Sequence, residues 1–221
     1  LPESISDQDA VSLPNLQLAL ALMQAACLMP SNEQRAVLIT GAAGGVATML
    51  SQLAKLHGFQ TIGTARSEDK RLFALANGFD VVLDSVPETL TVQVMQATQG
   101  RGVNLVYDHL GGAYLTASMR SLSPMGLAVS YNIITGKPDT DVFGLMRELL
   151  SKSLGVRCFS MHTFDENVTS RRALMNQAID LMAAQKVKAP TATLMAFNEV
   201  VQAHIVLDSG ATLGKIILNP Q

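Results

Sequence analysis

A doubly wound α/β fold, one six-stranded parallel sheet with helices on both faces, is what this 221-residue sequence predicts. Three observations carry it. Short apolar runs alternate with amphipathic segments along most of the chain, as strand-helix-strand units of a parallel sheet do. The first run, Ala36-Val-Leu-Ile39, breaks into a glycine-rich turn, Gly41-Ala-Ala-Gly-Gly45. A helix opens after it at about Val46, with Val46, Met49, Leu50, Leu53 and Leu56 on one face.

The elements follow in order. Before the first strand, the apolar run from Leu16 to Met29 reads as a buried helix bracketed by Pro14 and Pro30; it is too short and too interrupted by Gln17 and Gln24 to cross a membrane. The second strand is 60–64. Ser67, followed by Glu68 and Asp69, caps a helix that Gly78 ends. A third strand is read at 80–83, a helix at 88–98 stopped by Gly100, and a fourth strand at 103–107. A short helix after Gly111-Gly112 ends before Pro124, a fifth strand covers 126–131, a helix 141–152, and a sixth strand 155–161. A long helix at 168–185, a helix at 198–207 and a last strand at 215–219 complete the chain.

A strand, a glycine turn and a helix in this order form an anion site. The glycines let the backbone approach a pyrophosphate, and the helix N-terminus offers free N–H groups and partial positive charge. Six strands opening on such a turn imply the dinucleotide-binding, Rossmann-type order 3-2-1-4-5-6, with the ligand across the carboxyl ends of the strands. The residues just after each strand are therefore the candidates.

After the second strand, Thr64 and Ala65 lead to Arg66, Ser67 and Lys70. A carboxylate holding a ribose 2′-hydroxyl is expected there in an NAD site; Arg66 and Lys70 instead suit a 2′-phosphate, with the Ser67 hydroxyl as a further donor. After the fourth strand, Asp108-His109-Leu110-Gly111-Gly112 suits a loop lying against a cofactor, and after the fifth Asn132 reaches toward the nicotinamide side. Phe159 and Ser160 fall near the same place in the sixth strand.

Composition narrows the class. Hydrophobic residues make up 48% and charged residues 15%, and the net charge of -2 argues against a nucleic-acid or anionic-membrane partner. Cys27 and Cys158 sit in apolar runs and read as buried free thiols, which fits a reducing, cytoplasmic compartment. His57, His109, His162 and His204 are scattered, so no metal site is expected from this chain. No secretory signal is visible, and the start at Leu1 leads the reading to expect sequence upstream.

The chain resembles the medium-chain dehydrogenase/reductase superfamily, in its zinc-independent, quinone oxidoreductase-like branch. The matching pieces are Leu13-Pro14, Thr40-Gly-Ala-Ala-Gly-Gly-Val46, Gln52-Leu-Ala-Lys55, Gly63-Thr-Ala65 with Lys70, Gly100-Arg-Gly-Val103, Tyr107-Asp-His-Leu-Gly111, Ala203-His204 and Gly214-Lys-Ile-Ile-Leu218. The resemblance implies that Gly44, Gly45 and Val46 hold a pyrophosphate, Lys70 a 2′-phosphate, and Asn132 the nicotinamide end. It implies NADP(H) as cofactor, and hydride transfer to a small-molecule quinone, enone or enoyl thioester. The metal cysteine of the zinc-binding branch has no counterpart near Leu13 to Leu18. Departures are Ala47 for the last turn glycine, Ser85 for a tyrosine that often supports the 2′-phosphate, and Leu18-Ala19-Leu20 for Leu-Thr-Ala.

The expected cofactor site comprises Gly41, Ala43, Gly44, Gly45, Val46, Thr64, Arg66, Ser67, Lys70, Ser85, Leu110, Gly111, Asn132, Phe159 and Ser160. The expected organisation is a helical lead-in at 1–35, a dinucleotide-binding domain at 36–190 and a return segment at 191–221. The resemblance also implies a missing N-terminal GroES-like domain forming the other cleft wall, and a homodimer joined through strand 155–161. A short-chain dehydrogenase is the nearest enzyme rival, but it needs Tyr and Lys four residues apart, and Tyr107, Tyr114 and Tyr131 are followed at that spacing by Gly111, Ser118 and Thr135. The remaining alternative is a nucleotide-binding or structural module that kept the fold without the chemistry.

Overall fold

The structure, a computed structural model, describes residues 1–27 and 34–220. Six strands, β1 (Arg35–Ile39), β2 (Phe59–Ala65), β3 (Val81–Asp84), β4 (Val103–Asp108), β5 (Leu122–Ser130) and β6 (Gly155–Cys158), form one sheet in the order β3-β2-β1-β4-β5-β6. Every neighbouring pair runs parallel. This is the predicted fold.

The strands read as apolar runs because both faces are covered. Alternate residues of β1 divide between two cores: Val37 and Ile39 face one, Ala36 and Leu38 the other. The first core takes Leu16 and Leu22 of α2 (Leu13–Ala25), Met49, Leu50 and Leu53 of α3 (Gly45–Leu56), and Leu174 and Met182 of α8 (Val168–Ala183). The second takes Leu90 and Val94 of α5 (Pro87–Ala97), Leu115 and Met119 of α6 (Gly112–Arg120), and Leu145 of α7 (Val142–Glu148). Each such side chain, fully buried, contributes about 1.5–3 kcal/mol. Tyr107 sits in the first core with its hydroxyl donating to the Leu22 carbonyl at 3.1 Å, which ties α2 to β4.

Several boundaries differ from the sequence reading. A short α1 (Asp7–Ala10) precedes α2, capped by the Ser6 hydroxyl, which accepts from Asp9 N–H. The Met29 and Pro30 end of the predicted first helix lies outside the described residues. α4 (Glu68–Ala76) starts as expected, with Ser67 accepting from Lys70 N–H. β5 begins at Leu122, ahead of Pro124, because Leu122 pairs with Val103 before a register shift. The predicted helix at 141–152 is α7 followed by a 3-10 turn, Leu150–Lys152.

β6 ends at Cys158 rather than at residue 161. Phe159 N–H makes one last bond to the Ser130 carbonyl, and then the Ser160 hydroxyl accepts from His162 N–H and starts a 3-10 turn, Met161–Phe164. A serine that satisfies the backbone locally competes with the ladder. The thiols are also corrected: Cys27, just past α2 at a positive φ of 44°, and Cys158, on the sheet edge, are both exposed.

The tail holds a strand the sequence reading missed. β7 (Ala192–Ala196) pairs in parallel with β8 (Lys215–Asn219), and α9 (Val200–Asp208) connects them after a 3-10 turn, Phe197–Glu199. The pair is stitched to the main body. Gly214 N–H donates to the Ala43 carbonyl at 3.0 Å, and the Lys215 ammonium to the Val11 carbonyl at 2.7 Å.

Candidate functional site

The carboxyl ends of β1, β2, β3 and β4 open onto a cleft of about 620 Å³, within the usual size for a ligand site. Its floor is the glycine-rich turn. Gly41 adopts φ +65°, and its N–H donates to Thr64 Oγ1 at 3.2 Å. Ala42 N–H donates to the Thr64 carbonyl at 2.8 Å. Thr64 is fully buried and so fixes the turn to β2 with both its hydroxyl and its carbonyl. Gly44 is the N-cap of α3 and has no side chain to satisfy that helix's first N–H groups, which leaves donors for an anion.

On the other side, Asp108 ties the turn to β4. Its carboxylate accepts from Thr40 Oγ1 at 2.9 Å and from Gly111 N–H at 2.8 Å, and burial raises its pKa above the ordinary carboxylate value. The next residue, His109, lines the cleft. Its ring lies against Gly41, so closely that a Cβ on Gly41 would collide with it, and it stacks on Tyr131 at 5.7 Å and 29°. Burial pushes the imidazole pKa below its usual value, against a smaller opposing pull from the Thr40 backbone. Its Nδ1 is buried without a hydrogen-bond partner.

At the β2 end, Arg66 and Lys70 face the same cleft. Burial, and then the charge of Arg66, hold the Lys70 pKa below the usual lysine value. The Lys70 ammonium donates to the Gly210 carbonyl, and a Cβ on Gly210 would come within 2.8 Å of the Arg66 guanidinium. The turn after α9 therefore lies across the basic pair, and Asp208, Ser209, Gly210, Thr212 and Gly214 form a roof on the cleft. Sequence reasoning missed this roof. The one signal was the pair of glycines, Gly210 and Gly214, both at φ +66°. Their contribution is carbonyl, N–H and absence of bulk, which no side-chain motif records.

Of the expected residues, Gly41, Ala43, Gly44, Thr64, Arg66, Lys70, Ser85 and Leu110 line this cleft together. Ser67 caps α4 and lines an adjoining groove with Arg66 and Lys70. Gly45 and Val46 do not line the cleft: the Asn15 side chain of α2 fills the space a Cβ on Gly45 would need, and Val46 packs on the first core. Gly111 is buried at φ +75° and serves the turn into α6. Asn132 is exposed, its amide oxygen accepting from Ile133 N–H at 2.8 Å. Phe159 lies in a separate groove with Cys27, Cys158 and Phe164, and Ser160 is occupied as a turn cap, so neither reaches the cleft. His109, in the loop expected to lie against a cofactor, lines it too, and Tyr114 lines it without having been among the expected site residues.

Comparison with known proteins follows this geometry. Residues 77–218 match the family described as zinc-binding dehydrogenase. The quinone oxidoreductase of Salmonella typhimurium is 30% identical over 227 residues, which take in all of this chain and 67% of that protein. The chain belongs to the medium-chain dehydrogenase/reductase superfamily, among its quinone oxidoreductase-like members. A highly reducing polyketide synthase of Aspergillus terreus is also 30% identical over 234 residues, 8% of its own length. The crystal structure of Escherichia coli quinone oxidoreductase complexed with NADPH superposes with a TM-score of 0.84 at 28% identity, covering 100% of this chain and 67% of that one. Against the quinone oxidoreductase of Pseudomonas aeruginosa the match is 28% identical over 186 residues, 83% of this chain and 56% of that protein.

The matched family's description names zinc; among the described residues no group of three or more His, Cys, Asp or Glu lies together. No described helix is long and apolar enough to cross a membrane.

Proposed function

We propose that this chain is the cofactor-binding part of an NADPH-dependent reductase that delivers hydride to a quinone, an enone or an enoyl thioester. The observation that carries the reading is the pairing of Arg66 and Lys70 at the mouth of the cleft whose floor is the glycine turn. Two cations and a helix N-terminus facing one cleft suit the two phosphate positions of NADPH. β2 ends at Ala65, with no carboxylate there to hold a bare ribose hydroxyl. The similarity to the Escherichia coli enzyme's NADPH complex supports the same cofactor.

When bound, the nicotinamide supplies the hydride. The chain's own residues bind and orient. The main chain at Ala43 and Gly44 and the first turn of α3 take the pyrophosphate; Arg66 and Lys70 take the 2′-phosphate; Leu110 gives an apolar wall; Asn132 keeps its amide NH₂ for the nicotinamide side. The acceptor's chemistry then depends mainly on position. A second domain closes the cleft in this reading, and the 221-residue chain by itself does not turn over. The intact protein should oxidise NADPH faster than NADH with a small quinone or enone as acceptor, followed by absorbance of the reduced nicotinamide. Binding of NADPH without consumption of either acceptor would replace this reading with that of a nucleotide-binding module.

The proposed assembly is a homodimer through the edge strand β6. Phe159 N–H points inward to Ser130, so in a parallel ladder the N–H of Cys158 points outward, away from β5. An apolar edge strand whose outward N–H groups have no backbone partner among the described residues invites a second copy related by a two-fold axis. Cys158→Pro removes an outward donor and leaves the inner ladder intact. Light scattering should give a dimer for the wild type and a monomer for this variant; a dimeric variant or a monomeric wild type refutes edge pairing.

A further inference from the structure

We infer that Tyr114 is the platform on which the adenine ring of the nucleotide packs. The inference rests on the NADPH reading and extends it to the base, for which no residue has yet been named. Arg66 and Lys70 supply charge, and Ser85 is too short to cover a purine.

Tyr114 stands on the first turn of α6, and that turn is held unusually firmly. Gly111 and Gly112 enter it at φ +75° and +49°. The loop after β5 locks against them. Thr135 donates from both N–H and Oγ1 to the Leu110 carbonyl, at 2.7 and 2.9 Å, and Gly112 N–H donates to the Gly136 carbonyl at 3.0 Å. Tyr114 N–H itself bonds the Gly111 carbonyl at 3.1 Å.

From this fixed base the side chain spans to β3. The phenol donates to the Ser85 carbonyl at 3.1 Å, so the ring is pinned at its far end as well as at its backbone. It is half-buried and lines the cleft alongside Arg66, Lys70 and Leu110. An aromatic ring fixed at both ends beside a phosphate site needs little further ordering on binding. Every purine has a π-face, and stacking on such a ring is worth roughly a 5- to 100-fold change in affinity when the ring is removed. The hydroxyl is engaged with Ser85, so the contact left for a ligand is the ring.

The test uses calorimetry on the intact protein with three probes: NADPH, adenosine 2′,5′-bisphosphate, and reduced nicotinamide mononucleotide. Tyr114→Leu should weaken NADPH and the bisphosphate together, roughly 10-fold or more, and leave the mononucleotide unchanged. Tyr114→Phe keeps the ring and should bind both adenine probes within about 2-fold of wild type. The chain has no Trp and only three Tyr, so quenching of tyrosine fluorescence gives a second readout. The bisphosphate should quench the wild type, and that quench should vanish in Tyr114→Phe; this comparison stands even where Tyr114→Leu fails to fold. Unchanged affinity in Tyr114→Leu, a Phe variant as weak as the Leu variant, or an undiminished quench in Tyr114→Phe overturns the platform while leaving the cofactor reading intact. A wild-type protein that binds neither NADPH nor the bisphosphate overturns both.

Discussion

Alanine at both Arg66 and Lys70 should weaken NADPH binding by roughly 10²- to 10⁴-fold and change NADH binding only a few-fold. A hydrogen bond to a charged group contributes about 1.5–3 kcal/mol, and two are removed. The structure adds a dependence on pH. Burial and the neighbouring Arg66 disfavour the charged form of Lys70 in the free site. A bound 2′-phosphate favours that charged form and moves the pKa back up. NADPH binding should therefore take up protons on the alkaline side, and affinity should fall as pH rises through the depressed Lys70 value. Calorimetry in buffers of different ionisation enthalpy measures both effects. Equal loss for NADPH and NADH in the double variant, or proton release on binding, contradicts the assignment.

Gly41→Ala should cost both stability and cofactor binding. The left-handed backbone at φ +65° strains any L side chain by about 1–2 kcal/mol. The new Cβ also meets the His109 ring, which stacks on Tyr131 and lines the cleft, so the collision pushes the ring toward ligand space. A melting temperature lower by roughly 2–8 °C is expected, at about 2–4 °C per kcal/mol for a chain of this size. NADPH affinity should fall about 10-fold or more, because the displaced ring occupies ligand space. The companion His109→Ala separates the two causes: in the double variant the collision is gone and the backbone strain remains, so binding should recover more than stability does. A double variant no better than Gly41→Ala in binding would show that the ring plays no part.

The sheet order was legible because its physics is local and repetitive. β1, β2 and β4 are covered on both faces, β1 announces itself as the apolar run 36–39, and the glycine turn names the strand at which the order reverses. Arg66 and Lys70 were legible for a related reason, since a strand end next to that turn has few other uses for paired cations. The roof was not. Gly210 and Gly214 act through main-chain groups and lack of bulk, and the cleft residues they meet are more than a hundred positions earlier in the sequence. β7 was missed because Ala192–Ala196 is largely exposed and finds its partner in β8, beyond α9. Phe159 and Ser160 were over-read: the β-prone run continues past Cys158, but a serine hydroxyl captures the chain first. Tyr114 carries no spacing signal; only the crossing from α6 to Ser85 brings it to the cleft.

The bond between Gly214 and Ala43 has a consequence for how the protein is made. In synthesis the glycine turn emerges well before the Gly214 end of its roof, so the sheet has time to form before the cleft is covered. A ribosome-bound chain that has emerged only as far as α9 holds the phosphate floor and the basic pair with Lys70 still unclaimed by Gly210. Emergence of β8 then brings Gly214 onto Ala43 and completes the roof over the turn.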